Sequence, residues 1–417
     1  MMETKPRLQC KYFLKKKNRQ CGMTRSTQQD YCSEHLILLP NSSDNSIEKD
    51  VIDRIPCPLD PKHTVNKNQL QRHLKKCNKF KLNHINDNMS YYKLDLNTAT
   101  TKSNNNNNKF QLNDTLINKT IDILYLYQNS NDNTIIPTMV KQNQFMSNTR
   151  FNILKNQKHA IQQSSLIQNL LEFRHLNDHH PLNILEYGAG RAEFSRYCNQ
   201  VFQSLDLNVN KFVLIDRASN RLKFDNKIIS DSKTAPIIKR VKIDIKDLFI
   251  DDLLSPNEQN IIISKHLCGV ATDLTLRSIV NNPILSGNVD SICIAMCCRH
   301  VCDPNQYINV DFMKNILNQY GNNTLSYHEF FSTLTKLCSW ATNGKRSNIQ
   351  DCDTVEITNE RTVSIKEREN IGLMARYLID QGRLEWVKSN IPNSKAQLIK
   401  YVSSDISLEN VALFLTK

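Results

Sequence analysis

From residue 183 onward, short apolar runs alternate with longer amphipathic stretches. Ile184-Leu185 and residues 211–215, 237–243, 260–264 and 291–296 each read as a buried strand. Enough chain separates successive runs to hold a helix, and that alternation predicts an α/β domain with a parallel sheet covered on both faces. A helix is expected from about Arg191, with Phe194, Tyr197, Cys198 and Val201 along one face. Residues 397–402 and 411–415 read as two further strands, a hairpin closing the sheet. Upstream, residues 152–173 and 112–127 carry helical periodicity, the latter through Leu116, Ile117, Ile121, Leu124 and Tyr125. Lys158, His159, Gln162 and Gln163 gather at helical spacing on the first of these, either as a solvated face or as part of a site.

The strand predicted at Ile184-Leu185 runs into E-Y-G-A-G-R, residues 186–191. Gly188 and Gly190 allow a turn without a Cβ and a close approach of backbone to ligand. The dinucleotide fingerprint wants a third glycine, whereas Phe194 and Ser195 follow here. An acid followed by G-A-G suits S-adenosylmethionine instead, with Glu186, Gly188, Ala189 and Gly190 as its cradle; another nucleotide or a plain strand-to-helix turn are the alternatives. Sheets of this kind bind ligands at the carboxyl ends of their strands. Asp216, ending the second strand, is placed for ribose hydroxyls, and Asp244, after the third, for an adenine amino group, unless they cap helices. The fourth run ends in S-K-H-L-C-G, residues 264–269, and the fifth in Cys297-Cys298 with His300 and Cys302 close behind. That last group leaves a third metal site, a cysteine nucleophile or a cleft-lining strand end open.

The first fifth of the chain has a different grammar. Cys10, Cys21, Cys32 and His35 are spaced C-x10-C-x10-C-x2-H; Cys57, His63, His73 and Cys77 are spaced C-x5-H-x9-H-x3-C. Zinc takes four such ligands in a tetrahedron, and segments this small cannot fold on apolar burial alone. We therefore expect two structural zinc ions, in modules spanning 1–40 and 54–81. His73 and Cys77 fall at i and i+4 on a helix expected over 69–76. Lys15, Lys16, Lys17 and Arg19 surround the first site, and Arg72, Lys75, Lys76, Lys79 and Lys81 the second. Phe13 is expected to bury against the first zinc core. Residues 82–144 are polar and include an unbroken asparagine tract at 104–108, which predicts a partly disordered linker before a catalytic domain over 145–417.

Composition narrows the picture. The 417 residues carry a net charge of +13, and the first 81 hold roughly twice as many Lys and Arg as Asp and Glu. A basic end of this kind suits nucleic acid. No run is apolar enough for a membrane span or a signal peptide. Thirteen cysteines scattered through the chain fit a reducing compartment. A soluble intracellular protein without a membrane role, in cytoplasm or nucleus, is expected, and no obligate protein partner is inferred.

Taken in order, the two zinc spacings, E-Y-G-A-G-R, S-K-H-L-C-G-V-A-T-D-L-T-L-R, I-A-M-C-C and I-G-L-M-A-R-Y-L-I-D-Q-G-R from Ile371 resemble the eukaryotic tRNA ribose 2′-O-methyltransferases that act on acceptor-stem nucleotide four. The second module resembles the CHHC finger shared with a spliceosomal protein. The resemblance implies a Rossmann-like, S-adenosylmethionine-dependent domain behind two zinc modules, with tRNA as partner. A 2′-hydroxyl is a weak acid, so its methylation needs a proton acceptor. His266 is the expected base, Lys265 its helper and Asp273 a group orienting either. Arg299 and Pro304 depart from the histidine and tryptophan expected at those positions. A non-catalytic zinc-finger RNA-binding protein and an RNA base methyltransferase remain as other readings.

Overall fold

The computed structural model describes residues 8–15, 18–36, 54–77, 79–80, 84–99, 111–130, 135–174, 181–322, 324–342 and 351–417. The chain divides into two compact units, Met1–Met89 and Ser90–Lys417.

The first unit contains two small hairpins. Strands β1 (Phe13–Leu14) and β2 (Arg19–Gln20) pair antiparallel, and a single helical turn follows at Ser33–Leu36. Strands β3 (Arg54–Cys57) and β4 (Asp60–Asn66) form the second hairpin, followed by the helix Leu70–Lys76. Apolar burial here is slight: the first hairpin's core is Cys10, Cys21 and Cys32 with Tyr12, Leu14 and Tyr31 against them.

The second unit is built on a seven-stranded sheet. Its strands are β5 (Leu182–Tyr187), β6 (Val209–Ile215), β7 (Ile237–Val241), β8 (Gln259–Cys268) and β9 (Val289–Cys297). After a small hairpin, β10 (Thr354–Thr358) and β11 (Arg361–Ser364), come β12 (Lys395–Lys400) and β13 (Val411–Thr416). The order across the sheet is β12-β13-β9-β8-β5-β6-β7. Strands β5 to β9 run parallel to one another, and β13 is antiparallel to both β9 and β12. The terminal pair therefore closes one edge as a hairpin, as its apolar pattern suggested.

Both faces of the sheet are dry. Consecutive strand residues point to opposite sides, so Leu185, Val213, Ile215 and Ile262 join one core while Ile184, Phe212, Leu214, Ile261 and Ile263 join the other. That is why these strands read as continuous apolar runs rather than as alternating ones. A third core lies among the helices Asp114–Asn129, Val310–Tyr320, Tyr327–Cys338 and Ile365–Asn390.

Residues 82–144 read as a polar linker with two apolar islands, at Tyr91-Tyr92-Lys93-Leu94 and at 112–127, and both islands are docked. The compact unit starts at Ser90 rather than near Phe145. Tyr91 and Tyr92 pack against the sheet's core, and the Asn97 side-chain amide donates to the carbonyls of Ile245 and Leu248 at 2.7 and 2.8 Å. The helix Asp114–Asn129 buries Leu116, Ile117, Ile121 and Leu124. Both islands stand out of the polar stretch in the sequence, one as an apolar patch able to pack on a neighbouring domain and the other as a helix, and a few anchoring side chains are enough to dock each. The asparagine tract lies outside the described residues.

Candidate active site and metal centres

The chain runs outward through β5, β6 and β7, then returns to the other side of β5 to lay down β8 and β9. Where that order reverses, the carboxyl ends of β5 and β8 leave a crevice. A cavity of about 660 Å³ occupies it, lined by Gly188 after β5, Asp216 after β6, Asp244 after β7, and His266, Leu267 and Cys268 at the end of β8. Its volume suits a nucleoside-sized ligand. Asp95 and Thr98 from the docked segment line it too, as do Asp303 and Gln306. Polarity in a supposed linker hid Asp95 and Thr98; only their docking shows what they face.

The glycine loop is braced from behind. Gly188 and Gly190 take φ of +69° and +50°, and a Cβ placed on Gly190 would meet nothing within 4 Å, so the loop leaves space for close approach. The Gly190 N–H donates to Asp216 Oδ2 at 2.7 Å, the Ala218 N–H donates to Asp216 Oδ1 at 2.7 Å, and Arg240 donates to the Gly190 carbonyl at 2.9 Å. Asp216 thus shapes the loop as well as facing the cavity. Glu186 is buried behind the loop. It accepts from the Ser195 hydroxyl at 2.5 Å and the Ser195 N–H at 3.2 Å, and burial pushes its carboxyl up to about 7 despite them. Its shown contacts anchor the helix Glu193–Ser204 to the strand end. The cavity, its loop and the two acids Asp216 and Asp244 fit an adenosine-bearing donor.

Beside the cavity, Lys265 stands between two imidazoles. Its Nζ lies 3.0 Å from His159 Nδ1 and 3.1 Å from His266 Nε2. An ammonium can only donate, so both rings accept and are held neutral. Burial pushes Lys265 down to about 8, although Glu193 and Glu186 pull the other way. Burial, then Lys265 and His159, push His266 down to about 4, and Lys265 lowers His159. His266 also sits at φ +68°, a strained backbone for a non-glycine residue, costing roughly 1–3 kcal/mol. His159 comes from the helix Lys158–Phe173, far from Lys265 along the chain. Its polar neighbours were visible in the sequence, but their target was not.

Asp273 does not join this group. Its carboxylate is fully buried and accepts from Arg383 Nη2 at 2.7 Å and Nε at 3.0 Å. The helical phase after β8 turns it into the core instead of toward Lys265. Arg299, which departs from the resembled pattern, is likewise buried. It pairs with Asp380 at 2.6 Å and with Glu409, and donates to the Met296 carbonyl at 2.8 Å, tying the end of β9 to the helix Ile365–Asn390.

The two zinc sets assemble as their spacing predicted. His35 Nδ1 lies 3.4 Å from Cys10 Sγ and 3.3 Å from Cys32 Sγ, with Cys21 in the same cluster. In the second set, Cys57 Sγ lies 3.9 Å from Cys77 Sγ and 3.3 Å from His73 Nε2, and His63 Nε2 lies 3.8 Å from Cys77 Sγ. Four convergent soft and borderline donors in each set fit zinc. Phe13 does not bury against the first core as expected and stands 52% exposed; Tyr12 stacks on the His35 ring at 4.0 Å instead. Glu34 joins the modules, accepting from Arg54 at 3.1 Å and from the Thr64 N–H at 3.2 Å.

Comparison with known proteins agrees with this division. Residues 161–416 match the family described as methyltransferase TRM13. The chain belongs to the TRM13 methyltransferase family. Residues 8–36 match the CCCH zinc finger of TRM13 proteins, and residues 54–78 a U11-48K-like CHHC zinc finger. Among curated relatives named "tRNA:m(4)X modification enzyme TRM13", that of Saccharomyces cerevisiae is 44% identical over 99% of this chain and 96% of its own length. That of Kluyveromyces lactis is 40% identical over 98% and 95%, and that of Schizosaccharomyces pombe 34% over 87% and 95%. This chain thus carries two zinc-finger matches ahead of a TRM13 methyltransferase match. No helix among its described residues is long and apolar enough to cross a membrane.

Proposed function

We propose that this chain transfers a methyl group from S-adenosylmethionine to the ribose 2′-oxygen of nucleotide four in the tRNA acceptor stem. In this reading residues 90–417 form a Rossmann-like catalytic domain, and two zinc ions hold the modules that grip tRNA. Relatives named as tRNA modification enzymes support the substrate. The observation that carries the reading is Lys265, held by His159 and His266 beside the glycine-loop cavity.

Gly188, Ala189, Gly190, Asp216 and Asp244 would hold the donor, with Glu186 fixing the loop from behind. Bound there, S-adenosylmethionine would supply an electrophilic methyl group on a sulfonium. Lys265, rather than His266, takes the hydroxyl proton in this reading. An amine lowered to about 8 matches the working pH of a general base, whereas the His266 nitrogen already accepts from Lys265. His159 and His266 aim the amine. Arg72, Lys75 and Lys76 on the second finger would contribute salt-sensitive phosphate contacts.

Mass spectrometry of nucleosides and of nuclease fragments from tRNA incubated with labelled donor tests the reaction: methyl on ribose, in the fragment that holds nucleotide four, supports it. Methyl on a base, or none with donor bound, would transfer the assignment to the other readings. Single-turnover rates at saturating donor should rise about tenfold per pH unit up to about 8 and then level, since the neutral amine is the active form. Lys265→Gln should lower turnover by roughly 10²–10⁴ with donor affinity within about threefold by calorimetry. A flat profile from pH 6 to 9 would remove Lys265 as the acceptor.

A further inference from the structure

Cys297, Cys298, His300 and Cys302 lie together along the chain, and the fold regroups them. Cys302 is drawn into the helical core, where Arg383 donates to its Sγ at 3.3 Å. His300 points outward. In their place comes Cys268, at the end of β8, whose register partner on β9 is Cys297. Their sulfurs lie 3.1 Å apart. Cys298 follows with φ +51°, and the sulfurs of Cys268, Cys297 and Cys298 all lie within 4.8 Å of one another. Among the described residues three groups of ligating side chains converge this closely; two are the zinc-finger sets, and this is the third.

We propose that Cys268, Cys297 and Cys298 form a third metal site, taking zinc through three thiolates, at the rim of the donor cavity. Thiolates bind zinc at about 2.3 Å in a tetrahedron, which spaces the sulfurs by about 3.8 Å. The three sulfurs, all within 4.8 Å of one another, bracket that spacing. Three soft donors select a thiophilic ion over magnesium or calcium. Cys268 lines the cavity, and three protein ligands would leave the fourth coordination position to water or a substrate oxygen, as in zinc sites that keep an open place. The proposal is independent of which group accepts the proton.

The test is zinc per chain, by inductively coupled plasma mass spectrometry, on the full-length protein purified without chelator or polyhistidine tag. Cys268→Ser should hold one zinc fewer than the natural chain. Cys57→Ser should lose a different one, and the double variant should lose both. Cys268 is exposed, so circular dichroism of its variant should be unchanged. Cobalt substitution of the natural chain gives a reading that needs no variant: thiolate charge-transfer absorption from three clusters rather than from the two fingers. Equal zinc in the natural chain and Cys268→Ser would overturn the proposal. So would an intact mass 2 Da low from a Cys268–Cys297 disulfide, which would make the pair a redox element.

Discussion

The two units of this chain solve one problem by opposite means. In Met1–Met89 the buried apolar residues are mostly the ligands themselves, whereas in Ser90–Lys417 the sheet buries an apolar core on each face. A fold held by ligands is strong but conditional, because its stability is the binding energy of an ion. A fold held by packed side chains is spread over many contacts, each worth a few kcal/mol, and needs nothing from solution. The difference teaches where each unit is vulnerable.

Metal removal should divide them most sharply. Structural zinc contributes about 10–16 kcal/mol to small modules, so chelation should unfold the first unit. Circular dichroism should show the sheet's thermal transition persisting, while tRNA binding weakens. A chelator that melted both units together would break the comparison.

Truncating the packed core comes next. Ile262 sits fully buried in the central strand β8, and Ile262→Ala should cost about 2–5 kcal/mol by denaturant unfolding. Zinc content of the fingers should be unaffected.

The smallest effect tests how the modules cooperate. Glu34 joins them through Arg54 and Thr64 but is partly exposed, so Glu34→Ala should cost only about 1 kcal/mol in the zinc-loaded unit, read by its thermal transition. No measurable change would mean that the modules are stabilised separately.

Much of the site was legible where chemistry is local in sequence. The eight finger ligands follow from spacing, and the glycine loop, Asp216 and Asp244 follow from lying at ends of apolar runs. Asp273 was misread because proximity along the chain stood in for proximity in space; one helical turn after β8 points it at Arg383. His159 stood out in the polar cluster that begins at Lys158, but its distance along the chain from Lys265 leaves no local signal of what it meets. The buried Arg299–Asp380–Glu409 network was equally out of reach, since its members come from three separate segments. Cys268 stood in view within S-K-H-L-C-G, yet only strand register shows that Cys297 is its neighbour.

The sequence by itself determined the division of the chain into metal-held and core-held parts, the strand positions and the residues of the glycine loop. These depend on short-range patterns: ligand spacing, continuous apolar runs and glycines at a turn. Tertiary structure alone decided the surroundings of Lys265 and the thiol cluster. A lysine is lowered toward neutral pH only when other segments bury it, and thiols from distant segments meet only when parallel strands end side by side. Such properties belong to the space between distant residues, which no local pattern encodes.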